Sequence, residues 1–166
     1  MFCIWCGSPA EGDVDLRCTD CGRTHYLNSK VSASALVVVD DTYLTVKRAA
    51  EPELGKWDLP GGFTNYGEAP TDTAARETLE ESGIKVVVSR LLDVFMDQYL
   101  EPDGTYWPTI NLLYLAAPVD PTGDLTHVDA DEISALAWHP LATPPADIAF
   151  PTQQLGAINA YLHRSA

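Results

Sequence analysis

The chain has 166 residues, of which 46% are hydrophobic and 20% charged, and a formal net charge of −14. That is enough for one domain with a sizeable core plus a small appended module; it excludes two full domains and a chain too polar to fold. The acidic balance argues against long-range attraction to nucleic acid, and no run approaches the roughly 18 consecutive apolar residues of a membrane span.

At the N-terminus, Met1-Phe2-Cys3 leaves no room for the charged and apolar regions of a secretory leader, so a cytoplasmic protein is expected. All four cysteines fall in the first 21 residues, as Cys3-Ile-Trp-Cys6 and Cys18-Thr-Asp-Cys21, with Gly7 and Gly22 directly after the pairs. Two thiolates separated by two residues can chelate one ion from a tight turn, and the following glycine frees the backbone to aim amides at the sulfurs. Two such turns make a closed tetrahedral Zn²⁺ site, the spacing of a zinc ribbon. Paired disulfides are disfavoured without a secretory leader, and doubling of the motif separates it from a lone redox pair. A closed site has no coordination position for substrate, so the zinc is expected to be structural, folding a segment, residues 1–29, with too few apolar residues for its own core. Residues 1–30 carry Arg17, Arg23 and Lys30 against Glu11, Asp13, Asp15 and Asp20, so the ribbon offers no basic stripe to a nucleic-acid backbone.

Residues 30–39 form a β-branched apolar run, Asp40-Asp41 a turn, and residues 42–48 an alternating strand, which together predict a hairpin. From Leu59 the chain reads LPGGFTNYGEAPTDTAARETLEESGIKV. Pro70 suits a first helical turn, residues 74–81 are mostly strong helix formers, and Gly83 supplies a stop. On that helix Glu77, Glu80 and Glu81 fall at i, i+3 and i+4, so their carboxylates share a face and repel unless a cation lies between them. Oxygen ligands of this kind suit Mg²⁺ or Mn²⁺. Arg76, four residues before Glu80, can orient a carboxylate through its guanidinium fork. Gly61-Gly62 permits close approach of a main-chain carbonyl to the metal, and the loop over residues 63–67 returns Glu68 toward the helix. A solvated acidic helix face is the competing reading of any single glutamate.

Residues 85–99 and 109–119 read as strands joined through Glu101-Pro102-Asp103-Gly104, and residues 132–141 as a further strand. The acidic segment Asp129-Ala130-Asp131-Glu132 reads either as a surface loop or as a source of a catalytic carboxylate, Glu132. Leu155, Ile158 and Leu162 follow Pro151 at helical spacing, which predicts a C-terminal amphipathic helix over residues 152–163.

The spacing of Gly62, Glu68, Arg76-Glu77, Glu80-Glu81 and Gly83-Ile84 resembles the Nudix box, Gly-x5-Glu-x7-Arg-Glu-U-x-Glu-Glu-x-Gly-U, where U is aliphatic. Thr78 departs from the pattern at a position that usually holds an aliphatic residue. The resemblance implies an α/β (α+β) Nudix fold, a mixed β-sheet sandwiched between helices, over residues 30–166. With the ribbon, it points to the branch of NADH pyrophosphatases and ADP-ribose pyrophosphatase-like proteins, although the Ser-Gln-Pro-Trp-Pro-Phe-Pro stretch of the NADH group is replaced here by Asp97-Gln98-Tyr99-Leu100-Glu101-Pro102. Members of that branch are often homodimers.

The implied reaction is hydrolysis of a nucleoside diphosphate linked to another group, such as ADP-ribose or a dinucleotide coenzyme, by water attack on phosphorus. Mg²⁺ or Mn²⁺ would sit on Glu77, Glu80, Glu81 and Gly62, and Glu81 or Glu132 would take the water's proton. Gly61, Gly62 and Glu68 would lie against substrate, and among Trp57, Phe63, Tyr66, Tyr99, Tyr106 and Trp107 the pair Tyr106 and Trp107, in a turn between strands, are the favoured partners for a base. Two other classes stay open: a non-catalytic ligand sensor, which commonly lacks box carboxylates that are all present here, and an enzyme directed to RNA caps, against which the acidic ribbon argues.

Overall fold

The computed structural model describes residues 1–101, 104–121, 125 and 131–164. Three short antiparallel strands, β1 (Ala10–Glu11), β2 (Asp15–Cys18) and β3 (Thr24–Tyr26), form an N-terminal sheet of order β1-β2-β3. The remainder builds a second sheet of seven strands: β4 (Lys30–Val39), β5 (Thr42–Arg48), β6 (Trp57–Asp58), β7 (Gly61–Phe63), β8 (Val86–Leu100), β9 (Tyr106–Pro118) and β10 (Ile133–Pro140). Its main path is β10-β5-β4-β9-β8, with β6 on β5 and β7 on β4. The pairing of β4 with β9 is parallel and the others are antiparallel, so the sheet is mixed.

Helix α1 (Pro70–Ser82) covers one face and helix α2 (Pro151–Arg164) the other. The strand β4 shows why both can pack. Its residues alternate, so Ala33, Ala35 and Val37 pack with Ala74 of α1, while Leu36 joins Ala157 and Ile158 of α2 along with Tyr43, Leu92 and Leu113. Small side chains on the α1 face let that helix lie close to the sheet. Pro70 occupies the first turn of α1, and Gly83 ends it in the left-handed conformation (φ 73°), donating its N–H to Leu79 O. Thr78 is wholly buried, and its hydroxyl donates to the Ala74 carbonyl at 2.6 Å. The hydroxyl is thus satisfied inside the helix while the methyl packs, which explains how threonine replaces an aliphatic residue.

The strands expected from the sequence form with boundaries shifted by a few residues. One shift matters: β9 begins at Tyr106, so Tyr106 and Trp107 are paired strand residues opposite Leu100 and Tyr99, not turn residues. Glu101 and Gly104 still close the turn, since Glu101 N–H donates to Thr105 O at 2.8 Å, though residues 102–103 lie outside the described residues, as do Asp129 and Ala130. Strands β6 and β7 were not expected. Among the described residues no helix is long and apolar enough to cross a membrane.

Candidate active site

The cysteines form the more compact of two ligand clusters. All four Sγ atoms lie within 4.8 Å of one another, with Cys3 to Cys21 at 3.7 Å and Cys6 to Cys18 at 3.5 Å. Four thiolates about 2.3 Å from one tetrahedral ion would stand about 3.8 Å apart, so the spacing fits zinc, whereas a disulfide needs about 2.05 Å. Gly7 and Gly22 adopt positive φ (75° and 69°), closing turns in which their N–H groups reach Cys3 O and Cys18 O, and Cys21 N–H points at Cys18 Sγ. The glycine after each pair therefore does what its position in the sequence suggested.

The second cluster is built by α1 and the residues leading to it. Strand β7 lays Gly61 and Gly62 against β4, where a Cβ on Gly61 would lie 2.6 Å from Ser34 Cα. A Cβ on Gly62 would fall on the Glu77 carboxylate, 2.6 Å from Cδ. Only glycine leaves that carboxylate its cradle.

Arg76 organises the acids. Its Nε donates to Glu68 Oε1 at 2.8 Å, its Nη1 to Glu77 Oε1 at 2.9 Å and Glu80 Oε2 at 2.8 Å. Its Nη2 donates to Glu68 Oε2 at 3.0 Å and to Phe63 O at 3.3 Å. These contacts use all five guanidinium donors. Glu68, gripped through both oxygens by Arg76, also accepts from Asn65 N–H and the Thr73 hydroxyl, and its carboxyl is held down at about 2. It acts on Arg76 and lies outside the cleft lining.

Glu80 is exposed, Glu77 is partly buried, and Glu81 is only 6% exposed. The Glu81 carboxylate accepts the Gly61 N–H at 3.0 Å. Burial pushes its carboxyl well above the usual range, the Gly61 hydrogen bond opposes this, and the charges of Glu77, Asp58 and Glu132 reinforce it. Burial likewise raises Glu77, against the pull of Arg76. The charge that expectation placed between the glutamates is supplied in part by Arg76, and the three carboxylates do not converge as tightly as the thiols.

These groups open onto a cleft of about 490 Å³ whose lining includes Gly61, Gly62, Arg76, Glu77, Glu80 and Glu81. Glu132 lines it too, because Ala49 N–H donates to Glu132 O at 2.7 Å and draws the start of β10 to the end of β5. Phe63 and Tyr99, stacked edge to face with centroids 5.3 Å apart, line the far side. Trp107 stands behind them: Lys30 Nζ lies 5.4 to 5.7 Å from the Phe63, Tyr99 and Trp107 centroids and pairs with Glu101. Tyr106 and Tyr66 are exposed and away from the cleft lining, and Trp57, half-buried and packed edge-on to His139, lies outside it too. Tyr106 and Trp107, the pair favoured from the sequence as base partners, thus lie outside the cleft lining, whereas Phe63 and Tyr99 form part of it.

Sequence reasoning also passed over Ser32, Ser34, Thr109 and Asn111, which line the cleft from β4 and β9, and Arg48 and Asp58 beside them. Ser32 Oγ donates to Asn111 Oδ1, and Asn111 Nδ2 to Thr109 Oγ1 at 3.4 Å. The signal was present in β4: Ser32 and Ser34 share the parity of Leu36, two hydroxyls interrupting an apolar face.

A mixed sheet between two helices, with a Gly-Gly strand feeding an acidic helix ordered by one arginine, defines a class of fold and site. Residues 28–156 match the family model described as the NUDIX domain, and the chain belongs to the NUDIX family. Over 79 residues it is 34% identical to an ADP-ribose pyrophosphatase of Methanocaldococcus jannaschii, a match covering 48% of this chain and 47% of that protein. It is 29% identical to an NAD-capped RNA hydrolase NudC of Enterobacter sp. (strain 638), covering 89% of this chain and 56% of that protein. Among solved structures, a NUDIX hydrolase from Nitrosomonas europaea superposes with a TM-score of 0.70 at 27% identity, covering 98% of this chain and 92% of that chain. The chain spans 47% to 62% of the length of the curated relatives it matches first.

Proposed function

We propose that the chain is a pyrophosphohydrolase that cleaves a nucleoside diphosphate linked to another group, with residues 1–29 as a zinc-stabilised ribbon and residues 30–166 as the hydrolase unit. The observation that carries this reading is the gathering of Glu77, Glu80, Glu81, Glu132 and Gly62 around one cleft large enough for a nucleotide. Glu77, Glu80, Glu81 and the Gly62 carbonyl would hold Mg²⁺ or Mn²⁺. When bound, such an ion neutralises phosphate oxygens and acidifies a coordinated water. It also reconciles an acidic cleft with an anionic substrate.

The chain's own residues supply the rest. Arg76 aligns Glu77 and Glu80, with Glu68 locking the guanidinium in place. Glu81, held by Gly61 N–H, and Glu132 across the cleft are the carboxylates that can accept the proton of an attacking water. Phe63 and Tyr99 offer aromatic surface to a base, and the hydroxyls of Ser32 and Thr109 with the Asn111 amide offer donors and acceptors to a ribose. ADP-ribose is the leading substrate, in keeping with the name of the Methanocaldococcus relative.

The test is nucleotide release from ADP-ribose, NAD, NADH, nucleotide sugars and nucleoside triphosphates with Mg²⁺ or Mn²⁺, in wild type and Glu81→Gln. Turnover of one class that collapses in the variant is expected; a folded, zinc-loaded protein that turns over none of them overturns the reading. A second reading, removal of a dinucleotide cap from RNA, has one observation in its favour: the relatives named NAD-capped RNA hydrolase match over more of the chain than residues 30–166 contain. NAD-capped RNA belongs in the same panel, and its cleavage faster than that of free NAD would favour this second reading.

A further inference from the structure

We propose that Arg48 binds a phosphate of the substrate, an inference that rests on the pyrophosphohydrolase reading and names a binding residue outside the glutamate-rich helix. Among the described residues the cleft is lined by seven carboxylates but only two arginines, Arg48 and Arg76. Arg76 has spent all five of its donors on Glu68, Glu77, Glu80 and the Phe63 carbonyl, so it has no N–H left to offer an anion.

Arg48 is arranged differently. Its Nε donates to Pro52 O at 2.6 Å and its Nη1 to Asp58 Oδ2 at 3.3 Å, leaving three guanidinium N–H groups without a protein partner among the described residues. Its carbon lies 5.5 Å from the Phe150 ring centroid, so one face is covered. The side chain is 25% exposed and lines the cleft. It stands at the last residue of β5, paired in register with Ile133, next to Glu132. The guanidinium is therefore held along one edge and one face while its remaining edge is open. That is a preorganised fork for the non-bridging oxygens of a phosphate.

The experiment measures binding of ADP and of adenosine by calorimetry, with Ca²⁺ in place of Mg²⁺ to slow turnover, in wild type, Arg48→Met and Arg48→Lys. ADP affinity is expected to fall about 10- to 100-fold in Arg48→Met, and by less in Arg48→Lys, which keeps the charge without the fork. Adenosine, which has no phosphate, should bind all three proteins alike. Unchanged ADP affinity in either variant overturns the assignment to Arg48 and leaves the pyrophosphohydrolase reading standing. Equal losses for ADP and adenosine would show that Arg48 only shapes the cleft through Pro52 and Asp58, which also overturns it. If Arg48→Met fails to fold, the Arg48→Lys comparison decides alone. Wild type that binds no ADP while turning over none of the substrate panel would remove both proposals.

Discussion

The cysteine cluster and the carboxylate cleft each crowd like-charged groups together, and they relieve the crowding in opposite ways. The four thiols lie within 4.8 Å of one another in two glycine-closed turns, Cys3 facing Cys21 and Cys6 facing Cys18. The glutamates keep an arginine among them, leave one member exposed and another buried, and face an open cleft. A closed cage suits an ion that stays and holds the chain; an open, internally neutralised set suits ions that come with substrate. Disturbing the first should therefore cost structure, and disturbing the second should cost chemistry.

The largest effect is expected at the cage. Cys18→Ser should abolish stoichiometric zinc and unfold residues 1–29, since binding energies of about 10–16 kcal/mol are typical of structural zinc in small modules. Zinc content by atomic absorption and amide hydrogen exchange over β1 to β3 would read this out. Retained protection in zinc-free protein would break the contrast.

Next comes the cleft. Glu81→Gln should lower kcat by about 10²- to 10⁴-fold, the range of a lost general base, while the melting temperature stays at or above that of wild type, because a carboxyl whose ionisation burial opposes is replaced by a neutral amide that can still accept the Gly61 N–H. A variant that melts early would mean that Glu81 is structural. Gly62→Ala is expected to push the Glu77 carboxylate from its cradle and weaken Mn²⁺ binding by about 10-fold, about 1.4 kcal/mol, as followed by the paramagnetic signal of free Mn²⁺. Mn²⁺ affinity equal to wild type would remove the cradle from the argument.

The smallest effect concerns Asp58, whose carboxyl is pushed up to about 6 by burial, against the pull of Arg48. The folded chain then takes up this proton at a higher pH than the unfolded chain does, so the Asp58 contribution to stability grows as pH falls from about 6 to about 4. Asp58→Asn should remove that slope. Urea titrations of both proteins at the two pH values would show it, and identical slopes would rule the group out.

Much of this protein could be read from its residues in order. Doubled Cys-x-x-Cys-Gly, a glycine-to-glycine interval with glutamates at i, i+3 and i+4, and strands with clear periodicity all depend on neighbours within a turn or two, where geometry follows from sequence separation. Even Thr78, a departure from the family pattern, is explained locally by its bond to the carbonyl one turn back. Strands β6 and β7, two and three residues long, exist because β5 and β4 present edges for them, and no periodicity is visible over so few residues.

The amino-acid sequence by itself determined the cysteine cage, the acidic helix and the arginine placed to order it, because each is a local arrangement. Only the tertiary structure decided that Glu132 reaches the cleft across the β5–β10 pairing, that Phe63 and Tyr99 line it in place of Tyr106 and Trp107, and that Arg48 keeps an open edge where Arg76 has none. Those outcomes turn on strand register and on which donors are already spent, quantities set by pairings between residues many positions apart in the chain.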